Sequence, residues 1–219
     1  MSITISGFHT CHLASGKSQT QILSEVPYHS DVSKEQWLGQ GYYFWTDSNH
    51  YAHQWGCLKI DDGKGSKKFK YPNGYIITKF DICIPVTQLL DLVGNVHQQV
   101  YFYKQVEQYL RSSENKGLDR STALNTPISK VIEHLKLVVE KTGNFNIFPY
   151  VAIKAADKPR DSLNFLFVND GYGEVVILPT RQQLCLFSNH RDCIVVSEWH
   201  IQVSSAERLA NLRNRTNEL

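Results

Sequence analysis

More apolar and less apolar positions alternate over residues 75–84, and Pro85 ends the pattern. This alternation is the sequence feature that most constrains the fold. One set of alternating positions is the more apolar and consists of Ile76, Thr78, Phe80, Ile82 and Ile84. A period of two puts successive side chains on opposite faces of a strand. The segment therefore predicts a strand with one apolar face.

Further strands are predicted on both sides of a helical middle. The strand-like segments are 3–9, 163–168, 174–178, 184–187 and 198–203. The helix-like segments are 19–26, 51–55, 87–93, 96–111 and 128–142. A Ser-x-x-Glu pattern at 204–207 is typical of the start of a terminal helix. The order of strands, helices and strands indicates one α+β domain over residues 1–219, with a helical segment at about 86–143.

Composition excludes several classes of protein. Hydrophobic residues make up 42% of the 219 residues and charged residues 20%, so we do not expect a disordered chain. No apolar run approaches the ~20 residues of a membrane-spanning helix. The net charge of +2 is too small to indicate a protein that coats duplex DNA. The five cysteines have no Cys-x-x-Cys spacing and the N-terminus has no secretory pattern, so we expect reduced thiols in a cytoplasmic protein.

Two short motifs have suggestive residue types but weak spacing. His9-Thr10-Cys11-His12 offers metal-ligand types. Neighbouring side chains on a strand diverge and no second ligand pair stands at zinc spacing, so no metal is expected. The loop 61–74 lacks the glycine spacing of a phosphate-binding loop. It is either a solvated loop or a nucleic-acid contact, in which Phe69 and Tyr71 would stack on bases and phosphates would meet Lys64, Lys67, Lys68 and Lys70.

Three segments far apart in the chain form the informative pattern. They read Gly7-Phe8-His9-Thr10, Leu38-Gly39-Gln40-Gly41-Tyr42-Tyr43-Phe44 and Tyr172-Gly173-Glu174-Val175-Val176-Ile177-Leu178. A helical pattern with Ala52 and Trp55 follows the second segment, and Gln183-Leu184-Cys185-Leu186-Phe187 follows the third. In type and order these segments resemble the His-Tyr-Glu branch of the ADP-ribosyltransferase superfamily, which includes diphtheria toxin and the poly(ADP-ribose) polymerases. The resemblance spans most of the chain and implies split antiparallel β-sheets around an NAD cleft, with a helical insertion.

The resemblance also implies a role for each matched residue. His9 would hydrogen-bond the adenosine ribose of NAD, and the backbone beside it would hold the nicotinamide carboxamide. Tyr43 would stack on the nicotinamide ring. Other cofactor contacts would come from Thr10, Tyr42, Phe44 and Ala52. Thr10 stands where the family usually has glycine, and Tyr42 where it usually has an aliphatic residue, so close approach of the ligand is in question at these two positions.

Glu174 would be the central catalytic residue, bonded to the 2′-hydroxyl of the nicotinamide ribose. Cleavage of the nicotinamide bond develops positive charge on that ribose, as in glycoside hydrolysis. A fixed carboxylate stabilises this transition state more than the ground state. An acceptor then attacks the exposed anomeric carbon. NAD is thus the expected co-substrate, and no metal is required.

The acceptor would be selected by the loop 157–173 before Glu174. Arginine-modifying relatives have a second glutamate two residues before the catalytic one, and Tyr172 occupies that place here. An aromatic ring there can stack on a base. Together with Lys67, Lys68 and Phe69 of the basic loop, it slightly favours RNA or DNA over protein as the acceptor. The size of the chain and the family suggest a mono-ADP-ribosyltransferase toxin of the kind found in toxin–antitoxin and phage-defence systems, with an antitoxin or chaperone as a partner.

Other interpretations stay open at this point. The same triad would serve an NAD glycohydrolase toxin, in which water is the acceptor, or a protein-modifying transferase. A degenerate fold that binds NAD or ADP-ribose without catalysis is a further alternative. A final alternative is an unrelated α+β domain that has no NAD cleft.

Overall fold

A computed structural model gives the structure of the protein. It describes residues 1–60, 71, 73–114, 127–157, 163–169, 172–178 and 180–204, and only the backbone at 113–114, 157, 163–169 and 172–178. The chain forms two compact units that interleave along the sequence. The first unit comprises Met1–Ser30, Tyr42–Ile84 and Ser188–Leu219, and the second comprises Asp31–Gly41 and Pro85–Phe187.

The described residues form nine strands and four α-helices, so the protein has a mixed α and β architecture. The strands are β1 (Ser2–His12), β2 (Gly41–Thr46), β3 (Gly74–Pro85), β4 (Leu89–Asp91), β5 (Ala152–Asp157), β6 (Leu163–Asn169), β7 (Tyr172–Leu178), β8 (Arg181–Phe187) and β9 (Ile194–Ser204). The helices are α1 (Gln19–Glu25), α2 (His50–Ile60), α3 (Val96–Glu114) and α4 (Ile128–Thr142). None of these four helices is long and apolar enough to cross a membrane.

The first unit is built on four neighbouring strands in the order β2-β1-β3-β9. β1 and β2 are antiparallel, with Gly7 opposite Thr46 and Phe8 opposite Trp45. β3 and β9 are also antiparallel. The predicted apolar face of β3 is confirmed, because Ile76, Phe80 and Ile82 are fully buried.

Helix α2 packs on one face of these strands. Its buried Tyr51, Ala52 and Ile60 form a cluster with Trp45 of β2 and Tyr75 of β3. Gly56 makes this close packing feasible, since a Cβ at that position would lie 2.6 Å from the Tyr75 ring. The helix therefore sits closer to β3 than any larger residue at position 56 would allow.

The second unit combines three strands, a hairpin and two helices. β4 pairs with β5 in parallel, and β5 pairs with β8 antiparallel. β6 and β7 form a separate antiparallel pair. The core includes Ile132 of α4 and the fully buried Ile153, Leu184 and Leu186 of the strands.

Most predicted elements are confirmed, but two predictions within 86–143 are wrong. The segment 87–93 is a short 3-10 turn at Val86–Gln88 followed by strand β4, because its apolar Leu89 and Leu90 are buried beside β5. The parallel pairing of β4 with β5 also departs from the expected antiparallel arrangement.

Helix α4 begins one residue later than the Pro127 start signal suggests and ends as predicted at Gly143, which has a φ of 66°. Of the segment 204–207, which predicts the start of a terminal helix, only Ser204 is described, as the last residue of β9.

The tight contact at Gly56 yields a test in which two effects oppose each other. Glycine to alanine inside a helix normally stabilises it by roughly 1 kcal/mol. We expect Gly56→Ala to lower the melting temperature, because the added methyl overlaps the Tyr75 ring and overpacking costs about 1–3 kcal/mol. Leu58→Ala on the same helix is the control, since Leu58 is 54% exposed and should change the melting temperature little. A Gly56→Ala protein that melts above the wild type would contradict the packing described here.

Candidate functional site

His9 joins three segments of the first unit through its two ring nitrogens. Nδ1 lies 3.0 Å from the carbonyl oxygen of Tyr43 on β2. The backbone N–H of Tyr28 donates to Nε2 over 3.3 Å. Because Nε2 accepts, the ring proton belongs on Nδ1, which donates to Tyr43. His9 thus holds β2 and the segment after α1 against β1.

The environment of His9 favours the neutral ring. Burial away from solvent lowers the pKa of His9 from its ordinary value of 6.5, and the hydrogen bond to the Tyr43 carbonyl opposes this only partly. A neutral imidazole with one donor and one acceptor matches the two backbone partners that it has. A contact between His9 and a ribose hydroxyl would therefore require one of the two bonds to open.

The predicted cofactor residues are divided between the two faces of the β1–β2 pair. Phe8 and Trp45 are directly opposite each other and pack in the cluster beneath α2. Side chains alternate along a strand, so Tyr43 lies on the same face as Trp45. The His9 ring contacts Phe44 instead, with centroids 6.2 Å apart. The structure therefore brings the His9 ring to Phe44, and brings it to Tyr43 only through the Tyr43 backbone.

Thr10 and Ala52 meet on the α2 face. The Thr10 hydroxyl donates to the Ala52 carbonyl oxygen over 2.9 Å in a buried contact. Ala52 itself is fully buried, so its side chain has no surface in contact with solvent. The threonine in place of glycine thus anchors β1 to the helix, a role that glycine could not have.

Tyr42 lies among polar side chains on the face of the β1–β2 pair opposite to α2. The His29 ring packs against it edge-on, with centroids 5.2 Å apart. The Arg191 guanidinium lies 5.6 Å from the centre of the Tyr42 ring and donates to the carbonyl oxygen of Pro27 over 3.3 Å. The His29 Nε2 also lies 2.7 Å from the Ser188 hydroxyl. The Tyr42 ring therefore has one imidazole and one guanidinium group beside it.

Glu174 and Tyr172 belong to the second unit. Both lie on β7, where Glu174 is in register with Phe167 and Tyr172 with Asn169 of β6. Their side chains lie outside the described residues. The same holds for Lys64, Lys67, Lys68, Phe69 and Lys70 of the basic loop, whose backbone is not described either.

Sequence reasoning missed Tyr28, His29 and Arg191. The amide of Tyr28 binds His9, and the other two residues surround Tyr42. These residues come from the loop after α1 and the turn after β8, and no local pattern marks either segment. The buried Cys11, two residues from His9, has a pKa raised by burial to about 12, which makes its thiol a poor nucleophile.

Two cavities among the described residues are not lined by the residues predicted to bind the cofactor. One of about 490 Å³ lies between α3 and α4 and is lined in part by Tyr109 and His134. Another of about 510 Å³ lies in the first unit, beside Phe8 and Trp199. Among the described residues, no three His, Cys, Asp or Glu side chains are grouped so that they could hold a metal ion.

No family model, no curated protein and no solved structure matches this chain.

The lowered pKa of His9 predicts a pH dependence of stability. The unfolded chain binds a proton at His9 below pH 6.5 while the folded chain resists it, so stability is full above pH 6.5 and falls as the pH decreases. His53, whose pKa is also lowered by burial, acts in the same direction. We expect His9→Gln to flatten the loss of melting temperature between pH 7.5 and 5. If the melting temperatures of wild type and variant fall by the same amount across that range, His9 is not held neutral by the fold.

Proposed function

We propose that the protein is an NAD-dependent mono-ADP-ribosyltransferase with an ADP-ribosyltransferase-like fold. The observation that supports this most is the hydrogen bond between His9 and the Tyr43 carbonyl, on neighbouring strands. The first two of the three matched segments are thereby adjacent, and the helix expected after the second one follows it as α2. The third segment supports the proposal through its sequence and its strand β7.

In this proposal, the chemistry depends on a carboxylate close to the nicotinamide ribose. Glu174 would accept a hydrogen bond from the 2′-hydroxyl and stabilise the positive charge that develops as nicotinamide leaves. An attacking oxygen or nitrogen of the acceptor would form the new bond to the anomeric carbon and lose its proton. NAD would be the co-substrate in this step.

His9 has a positioning role in this proposal. Its contact with the Tyr43 carbonyl oxygen holds β2 against β1, and so positions the Tyr43 ring on the α2 face. Tyr43 would stack on the nicotinamide from that side. A direct bond from His9 to a ribose hydroxyl would form only where the contact with the Tyr28 amide, the longer of the two, opens on binding.

For the acceptor, we propose a macromolecule, with RNA or DNA ahead of protein. Tyr172 and the lysines of the basic loop support this choice only by their residue types. A toxin role with an antitoxin or chaperone partner, in the cytoplasm, belongs to the same proposal. Hydrolysis of NAD by water and binding of NAD without cleavage are the alternatives that an assay must separate.

Labelled NAD tests the proposed transfer. The protein is incubated with NAD labelled on the adenylate side and with a cell extract, and the products are treated with ribonuclease, deoxyribonuclease or protease. We expect label on a macromolecule and a loss of at least ~100-fold in rate for Glu174→Gln, because the carboxylate acts mainly in the transition state. Glu140→Gln is the matched control, since Glu140 is an exposed carboxylate on α4.

Each outcome of this assay has a distinct meaning. The enzyme that removes the label identifies the class of acceptor. Free ADP-ribose as the sole product, lost with Glu174→Gln, would indicate a glycohydrolase. Intact NAD with the wild type, together with measurable NAD binding by calorimetry, would indicate a binding module and overturn the proposed transfer.

A further inference from the structure

Two cysteines far apart in the sequence face each other at the end of the β3–β9 pair. After a bulge at residues 197–199 of β9, the two strands pair regularly as far as Ile82 opposite Ile194. Ile194 has an extended backbone, with φ −101° and ψ 120°, so the strand direction continues up to the residue before it. The next pair in this antiparallel register is Cys83 and Cys193.

This register brings the two residues within reach of a disulfide bond. Directly opposite residues of an antiparallel pair have Cα atoms about 4.5–5.5 Å apart, and their side chains emerge on the same face. A disulfide spans Cα separations of roughly 4.4–6.8 Å. A second observation agrees with the register. Burial, then the neighbouring Asp192 and Cys83, raise the pKa of the Cys193 thiol, so the two thiols lie within electrostatic range of each other.

Solvent reaches this pair more easily than it reaches the cysteines of the core. Cys83 is exposed and Cys193 is half-buried, and both are free thiols. The side chains on either side of Cys83 along β3 are fully buried, so the strand alternation directs Cys83 away from the core. Cys11 and Cys185 are buried. A small oxidant in solution therefore meets the Cys83 thiol before it meets the buried ones.

We propose that Cys83 and Cys193 form a redox-sensitive pair, which a hydroperoxide converts to a disulfide and a small thiol reduces again. The Cys83 sulfur attacks one oxygen of hydrogen peroxide, the O–O bond breaks, and the second oxygen leaves as water with the thiol proton. Cys83 is then a sulfenic acid. The Cys193 sulfur attacks the Cys83 sulfur, the S–S bond forms, the S–O bond breaks, and a second water leaves with the Cys193 proton. Two thiols and one peroxide thus give one disulfide and two waters.

The bond would join the end of β3 to the turn that carries Arg191. This turn is the 3-10 segment Arg191–Cys193, and the Arg191 guanidinium lies beside the Tyr42 ring and donates to the Pro27 carbonyl oxygen. Oxidation would therefore restrain the segment next to Tyr42. The inference depends on the two cysteines alone and not on the transfer proposed above.

Peptide mapping of the full chain after oxidation tests the pair. The protein is treated with hydrogen peroxide, its remaining thiols are alkylated in denaturant, and the peptides are identified by mass spectrometry. We expect a peptide pair linked through Cys83 and Cys193, with three of the five cysteines alkylated, and full alkylation after dithiothreitol. The melting temperature should rise by several degrees on oxidation, because a bond that closes a long loop restricts the unfolded chain.

Matched variants separate this pair from the other thiols. Cys83→Ser and Cys193→Ser should each abolish the linked peptides and the rise in melting temperature. Cys57→Ser is the control, since Cys57 is a half-buried thiol on α2, and this variant should form the disulfide as the wild type does.

A trivalent arsenical gives a readout that needs no oxidant. Phenylarsine oxide bridges two adjacent thiols, so the reduced wild type should bind it and both serine variants of the pair should not. Cys83 found as a sulfinic acid while Cys193 is still alkylated would overturn the proposal. A disulfide between two copies through Cys83, or equal binding of the arsenical by wild type and variants, would overturn it as well.

Discussion

The close packing of α2 against β3 is the contact on which the first unit depends. Gly56 lies so close to the Tyr75 ring that the helix rests directly on the strands, with Ala52 fully buried beneath it. This distance allows the Thr10 hydroxyl to reach the Ala52 carbonyl oxygen. The turn 47–49, which precedes α2, lies at one wall of the cavity beside Trp199.

His9 is a buried polar group whose bonding capacity is used within the protein. Each ring nitrogen has a backbone partner, as the cost of burying an unpaired polar group requires. Such a residue specifies the arrangement of three segments, whatever else it does. If it also contacts a ligand, the contact replaces an existing hydrogen bond, and the free energy of binding must cover that exchange.

The first unit thus presents two chemically different regions on the same four strands. Around His9 and Tyr42 the side chains are closely packed and satisfied by one another, which suits precise positioning. Beside Trp199, a bulge and the start of a helix leave aromatic and amide groups open to a cavity. The difference arises from strand register: regular pairing on β1–β2 closes one region, and extra residues in β9 open the other.

Local pattern by itself determined the strand at Gly74–Pro85, the amphipathic helix Ile128–Thr142 and its glycine end, because alternation, helical period and capping are properties of neighbouring residues. His9 and Tyr43 were singled out by the family resemblance of separate segments, and not by local pattern. Only the tertiary structure decided that Leu89–Asp91 is a strand, since its pairing with Ala152–Asp157 depends on residues about 60 positions away. Likewise, the face on which Tyr43 lies, the Tyr28 amide on His9 and the cavity at Trp199 follow from register and loop placement, which are set by contacts between distant segments and leave no local trace in the sequence.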